Sequence, residues 1–251
     1  MIPKIIHYCW LSKDPIPIQF EEYLESWKLH LPDYEFLLWN FENFDIDKSI
    51  WVKEAYEDKK YAFAADYIRL YAIYNYGGIY LDLDVELLKS FDPFLHLTSM
   101  VCYEKQGNLP EMAVFGAEKN SEWVKACLSY YQQKRFINKG GSDTKVLPVI
   151  VNEVLASNFK IVSVKSLAEA SLRTNDPNEI RILPSDFFSP KYYWTGKVEI
   201  TEKTVCIHHF LGSWLPRHLK IEALICKYLG VKNFKIIERI TWKLIVLRSK
   251  F

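Results

Sequence analysis

Two aspartates, Asp82 and Asp84, sit two residues apart in the stretch GGIYLDLDVE, residues 77–86. Ile79, Leu81, Leu83 and Val85 alternate there with Tyr80, Asp82, Asp84 and Glu86. That period of two predicts one strand, aliphatic on its buried face and acidic on the other. On such a strand Asp82 and Asp84 share a face, within about 7 Å of each other. Carboxylates gathered so closely repel, unless a hard divalent cation lies between them. Mg²⁺ and Mn²⁺ take carboxylate oxygens and keep positions open for phosphate oxygens, so the pattern suits a metal-held diphosphate. Taken alone, an Asp-x-Asp is more often a solvated sheet edge, because short motifs arise often by chance.

The preceding run, YAFAADYIRLYAIYNYGG, predicts a helix from about Tyr61 to Tyr76 that stops on Gly77-Gly78. It is apolar almost all round, yet it carries Asp66 and Arg69. These are three residues apart and so lie on one face. They read as an intrahelical ion pair or, beside a metal–phosphate site, as a polar pair for sugar hydroxyls. Earlier in the chain, PKIIHYCWL predicts a first strand, IQFEEYLESWKLHL (18–31) a helix, and YEFLLW (34–39) a second strand. That β-α-β order is the signature of an α/β sheet with a crossover helix. Further strands are expected at 99–104, 111–117, KIVSV, IRILP and TVCIHHF. Helices are expected at 121–137 and in KVLPVIVNEVLASN, where Pro148 fits only the first turn. The expectation is one α/β domain over 1–215 and a helical appendage over 216–251.

The chain has 251 residues and is 49% hydrophobic, enough for a sizeable core. Its 16 Tyr, 15 Phe and 8 Trp exceed what a core needs and also suit pockets for flat rings. A net charge of +1 gives no basic field, so nucleic acid is not an expected partner. The five cysteines form no CxxC pair, which argues against a zinc site or disulfide framework and for a reducing cytoplasm. The N-terminal run is too short and interrupted for a signal peptide, and no stretch is long and apolar enough to span a bilayer.

The block AADYIRLYAIYNYGGIYLDLDVE resembles the signature of the family 32 glycosyltransferases, whose sugar-transferase region contains a DXD motif. It is similar also to the glucosyltransferase domain of the large clostridial toxins. IPKIIHYCWL resembles the first strand of the same families, and IHHFLGSW (207–214) their C-terminal metal and phosphate motif. The resemblance implies a GT-A fold, a Rossmann-like mixed sheet with flanking helices that binds a nucleotide sugar. It implies a divalent metal, Mn²⁺ or Mg²⁺, and retention of anomeric configuration. Carried over by residue, Trp10 stacks on the base, Asp66 and Arg69 hold the donor sugar, and Tyr80 sits against nucleotide or sugar. Asp82 and Asp84 bind metal, diphosphate and ribose, His208 is the third protein ligand, and Ser213 and Trp214 contact the diphosphate. His209 follows His208 directly, and strand alternation sends the two to opposite faces, so only one is expected to be a ligand; His208 is favoured.

The expected reaction is sugar transfer from a nucleotide sugar, a UDP-sugar first, to a glycan or lipid-linked saccharide. By analogy the setting is cytoplasmic assembly of a bacterial capsule or other surface polysaccharide. Two other classes stay open. A haloacid-dehalogenase-like phosphatase also uses D-x-D, with the first Asp as nucleophile. It usually has Thr or Val two residues past the second Asp, where this chain has Glu86. A non-catalytic protein would bind the nucleotide sugar without consuming it. Near the C-terminus, Ile236, Ile240, Leu244, Leu247 and Phe251 form a stripe flanked by Lys235, Arg239 and Lys243. That face, within 232–251, suits either an anionic membrane surface or the domain's own core.

Overall fold

The computed structural model describes residues 1–105, 109–174 and 176–212. The segment expected to form the helical appendage lies outside the described residues, as do Ser213 and Trp214. The chain opens with β1 (Ile5–Cys9), α1 (Glu21–His30), β2 (Glu35–Trp39), α2 (Ile50–Glu57) and α3 (Tyr61–Tyr76). It continues through β3 (Gly78–Leu81), β4 (Val85–Leu87), β5 (Ser99–Met100) and β6 (Val114–Ala117). Next come α4 (Glu122–Ser129), β7 (Ile137–Asn138), β8 (Gly141–Ser142), α5 (Leu147–Asn158) and β9 (Lys160–Ser163). The last elements are α6 (Leu167–Ala170), β10 (Glu179–Ile182) and β11 (Cys206–His208).

The main sheet has five strands in the order β2-β1-β3-β6-β5. β1 runs parallel to both β2 and β3, as crossover helices require, and β6 lies antiparallel to β3 and β5. This mixed sheet with flanking helices is the expected α/β architecture. Alternation along β3 divides its side chains between two apolar cores. Tyr80 enters the one built around Trp51, Ile68, Phe115 and Trp123. Ile79 and Leu81 enter the other, around Trp27, Phe91 and Phe188. A sheet buried on both faces needs a hydrophobic run rather than an amphipathic one, as the sequence of β1 and β3 has.

The join between α3 and β3 depends on glycine. Gly77 has φ 68°, and a Cβ there would stand 2.7 Å from the Lys119 backbone nitrogen. Gly78 has φ 107°, and a Cβ would stand 2.6 Å from the Ile5 carbonyl oxygen. Both a left-handed backbone and a close strand approach therefore exclude side chains at this corner.

One expectation fails where it matters most. Residues 77–86 are not a single strand. β3 ends at Leu81, and the Val85 amide donates to the Asp82 carbonyl at 3.1 Å, closing a turn over 82–85. β4 then leaves the sheet and pairs with β11 in a separate two-stranded ribbon. Asp82 and Asp84 thus occupy a corner, and Glu86 does not share their face. Its carboxylate meets His209 at 2.8 Å instead. Period two is blind to a turn whose residues happen to continue the alternation. The helix expected over 121–137 is also shorter and ends at Ser129; Gln133, at φ 57°, lies outside the right-handed helical region.

Candidate metal and sugar-nucleotide site

The corner after β3 and the strand β11 build the site together. β4 and β11 pair antiparallel with His208 opposite Val85. The turn before Val85 brings the Asp84 carboxylate to 3.5 Å from His208 Nε2. The His209 amide donates to the Asp84 carbonyl at 2.9 Å and extends the pairing by one step. One ligand atom each from Asp82, Asp84 and His208 lies within 4.8 Å of the others. Two hard carboxylates and an imidazole suit Mn²⁺ or Mg²⁺, and the donor set fits the expected ion. His209 lies away from this group, stacked on Tyr23 at 4.8 Å, as alternation requires.

Both aspartates are held by protein donors. Arg69 lies 3.3 Å from both Asp82 oxygens, through Nη1 and Nη2, and donates to the Met112 carbonyl at 2.9 Å. Asp66 receives the same guanidinium at 3.3 Å, one turn earlier on α3. The Tyr80 hydroxyl donates to Asp82 Oδ1 at 2.8 Å, and the Arg69 guanidinium lies 4.5 Å over the Tyr80 ring. Tyr80 is only 1% exposed, so it sits beneath Asp82 rather than facing open solvent. Arg69 is similarly enclosed, at 6%. Asp84 takes the Leu211 amide on Oδ2 at 2.7 Å and faces His208 Nε2 at 3.5 Å.

The electrostatics follow from burial and partners. Burial raises the Asp66 carboxyl to about 7, against the pull of Arg69. Asp82 is also raised by burial, with Arg69 opposing and Asp84 assisting. For His208 burial disfavours the charge, but Glu111 and Asp84 outweigh it and lift the imidazole to about 9. Four acidic groups, Asp66, Asp82, Asp84 and Glu111, therefore share this pocket with two cationic ones, Arg69 and His208.

Trp10 follows β1 at the same carboxyl end of the sheet at which Asp82 follows β3, because the two strands are parallel. Its indole nitrogen donates to the Asp14 carbonyl at 2.6 Å, and its ring packs edge-on to Phe20 at 6.1 Å. The side chains brought together are thus Asp66, Arg69, Tyr80, Asp82, Asp84 and His208, with Trp10 at the same sheet end. Sequence reading missed Glu111. This carboxylate is 1% exposed and accepts from His208 Nδ1 at 3.2 Å across 97 residues of chain. The signal available was a glutamate set in the apolar run PEMAVFGA, which is unusual for a buried segment.

Residues 17–100 match the family described as the glycosyltransferase sugar-binding region containing DXD motif. Inositol phosphoceramide mannosyltransferase 3 of Schizosaccharomyces pombe is 40% identical over 108 residues, which cover 40% of this chain and 29% of that one. Mannosyl phosphorylinositol ceramide synthase of Saccharomyces cerevisiae is 35% identical over 99 residues, 38% of this chain and 26% of the other. The chain spans less than a third of the length of these fungal relatives. An uncharacterized glycosyltransferase of Acanthamoeba polyphaga mimivirus is 26% identical over 88% of this chain and 86% of its own. Among solved structures, PaToxG glycosyltransferase is 16% identical with a TM-score of 0.47, covering 62% of this chain and 69% of that one. The names of the fungal and viral relatives do not mention a bacterial surface polysaccharide. The likeness to a DXD-containing glycosyltransferase sugar-binding region is thus carried by residues 17–100, which include Asp82 and Asp84.

Proposed function

We propose that the chain transfers a hexose from a nucleotide-sugar donor, with Mn²⁺ or Mg²⁺ held by Asp82, Asp84 and His208. The observation that carries this reading is the approach of those three side chains at the corner where β3 ends and β11 pairs. The ion, when bound, neutralises the charge that develops on the leaving diphosphate. The protein's own groups do the positioning. Arg69 and Tyr80 hold both oxygens of Asp82, and the Leu211 amide holds one oxygen of Asp84. Such fixed partners cost no reorganisation at the moment of reaction. Asp66 and the rim of Arg69 are the groups for donor hydroxyls, and Trp10 supplies a ring face for the base. Ser213 and Trp214 are assigned to the diphosphate on the resemblance alone.

Retention by front-face substitution fits this arrangement. Asp66, Asp82, Asp84 and Glu111 are each engaged by Arg69 or His208, so none of these four stands free as a nucleophile. The same engagement of Asp82 counts against a phosphatase that would use it to attack phosphorus. A GT-A description and kinship with family 32 belong to this reading. The fungal relatives' names, which speak of mannosyl transfer in inositol phosphoceramide chemistry, favour a lipid-linked acceptor over a free glycan. Among the described residues no helix is long and apolar enough to cross a membrane. A cytoplasmic location, with 232–251 against an anionic leaflet, goes with the proposal.

The test is a panel of UDP- and GDP-sugars incubated with the protein and Mn²⁺, reading nucleotide release and sugar transfer to lipid extracts. Release from one donor, abolished by EDTA and restored by Mn²⁺, is the expected result. Phosphate release from a generic aryl phosphate, with no donor consumed, replaces this reading with a phosphatase. Saturable donor binding without turnover replaces it with a binding protein.

A further inference from the structure

We infer that Glu111 is a positioning residue that fixes how His208 is presented to the metal site. The inference rests on the reading of Asp82, Asp84 and His208 as the metal ligands. Glu111 is 1% exposed, and a bare carboxylate so deeply placed is costly unless several donors meet it. Here three do. The Ala113 amide donates to Oε1 at 2.8 Å, and the Ser189 hydroxyl donates to Oε2 at 2.6 Å. His208 Nδ1 donates to the same Oε2 at 3.2 Å.

The consequence concerns the other ring nitrogen. A carboxylate only accepts, so Nδ1 must carry a proton. Nε2 is then the atom left to face Asp84, which it does at 3.5 Å. The tautomer and the ring angle are both set from behind, as a carboxylate behind a metal-binding imidazole does in general. The charge on Glu111 also makes the imidazole a better electron donor.

Ser189 adds direction to this. It is fully buried, and its backbone amide donates to the Ser185 carbonyl at 2.8 Å. A serine anchored in that way pins the carboxylate's orientation, not only its position. The Glu111 amide donates to the Cys102 carbonyl at 2.8 Å, so the backbone cannot swing away. A role in packing alone would require no charge at this position. A neutral, shape-matched residue would serve it equally well.

Two readouts separate the roles. The first is Mn²⁺ affinity, from the loss of the free-ion paramagnetic resonance signal, for wild type, Glu111→Gln and Ser189→Ala. Circular dichroism in EDTA checks that each variant folds. The second is the ¹⁵N signature of His208 in metal-free protein above about pH 9, where the imidazole is neutral, which reports which ring nitrogen keeps the proton. Glu111→Gln is expected to bind Mn²⁺ about 10–100-fold more weakly, with the His208 tautomer altered. Ser189→Ala, which keeps the charge, is expected to lose a few-fold, and it decides the matter if Glu111→Gln does not fold. Wild-type affinity and an unchanged His208 signature in a folded variant overturn the role of Glu111 and leave the metal site standing. Wild type that takes up no Mn²⁺ overturns the metal site itself, and this inference with it.

Discussion

Two histidines, one buried and one largely enclosed, sit on strands of this protein and have opposite fates. His7 lies in the middle of β1 with no exposed surface. Its Nδ1 accepts from the Trp39 indole at 3.0 Å, and its Nε2 donates to the Gly77 carbonyl at 2.8 Å. Both partners are neutral, so burial wins and the imidazole falls to about 4. His208 lies on β11, 13% exposed at the side chain, between the carboxylates of Asp84 and Glu111. There the neighbouring charge wins and the imidazole rises to about 9. Burial alone therefore predicts neither charge nor role. Partner chemistry decides, and it marks His7 as part of the frame and His208 as part of the site.

The comparison breaks most readily at the site. Asp84→Asn removes one charge at nearly constant shape, and transfer is expected to fall by about 10²–10³-fold, the scale of losing a key charge stabiliser. Donor turnover by wild type and variant, each with EDTA and with added Mn²⁺, checks it. Full activity in EDTA refutes metal dependence.

At the frame the effect moves to stability. His7→Phe leaves the Trp39 indole N–H and the Gly77 carbonyl without partners, at a cost of roughly 3 kcal/mol for the two. Urea unfolding measures that loss, while Mn²⁺ affinity of the folded fraction is expected to stay at the wild-type level. A loss of Mn²⁺ affinity would join the two regions that the structure keeps apart.

The two histidines also predict opposite pH dependences in metal-free protein. His7 has a folded value below its unfolded one, so its contribution is present above about 6.5 and is lost as pH falls toward about 4. His208 has a raised folded value, so its contribution is present below about 6.5 and is lost as pH rises through about 9. Each arm amounts to roughly 3 kcal/mol at most. Chemical unfolding across pH 4–10 is expected to lose the acid arm in His7→Phe and the alkaline arm in His208→Gln. An unchanged profile in either variant assigns that arm to other groups.

The smallest effect sharpens the boundary between the regions. β1 carries His7 in its interior and leads into Trp10 beyond its end. Trp10→Ala is expected to weaken donor binding by about 1–3 kcal/mol, the usual worth of a base stacked on an aromatic ring. Calorimetry with the donor found in the panel reads it. Unchanged affinity in a folded variant removes Trp10 from the donor site.

Much of this was legible along the chain. The helix over Tyr61–Tyr76 and its Gly77-Gly78 stop were read at their true ends, because apolar spacing and a left-handed cap are local signals. The β1-α1-β2 unit followed from the same kind of pattern. Alternation says only that His208 and His209 point apart, and the two rings do so; the preference for His208 comes from the resemblance. The turn at Asp82–Val85 was not legible, since Leu83 and Val85 continue a strand's alternation through it. Glu111 was not legible either, since its partners Ser189 and His208 lie far along the chain.

Composition and local period determined the α/β class, most of the elements and the types of residue able to hold a metal. They did so because the helical and strand periods and the glycine stop are properties of neighbours in the chain. Tertiary structure decided which of those residues meet. The β4–β11 pairing and the turn over 82–85 bring His208 to Asp84, and the buried donors of Ser189 and Ala113 hold Glu111 behind it. Those contacts join residues far apart in the chain, and each depends on geometry and burial at once, which no local pattern encodes.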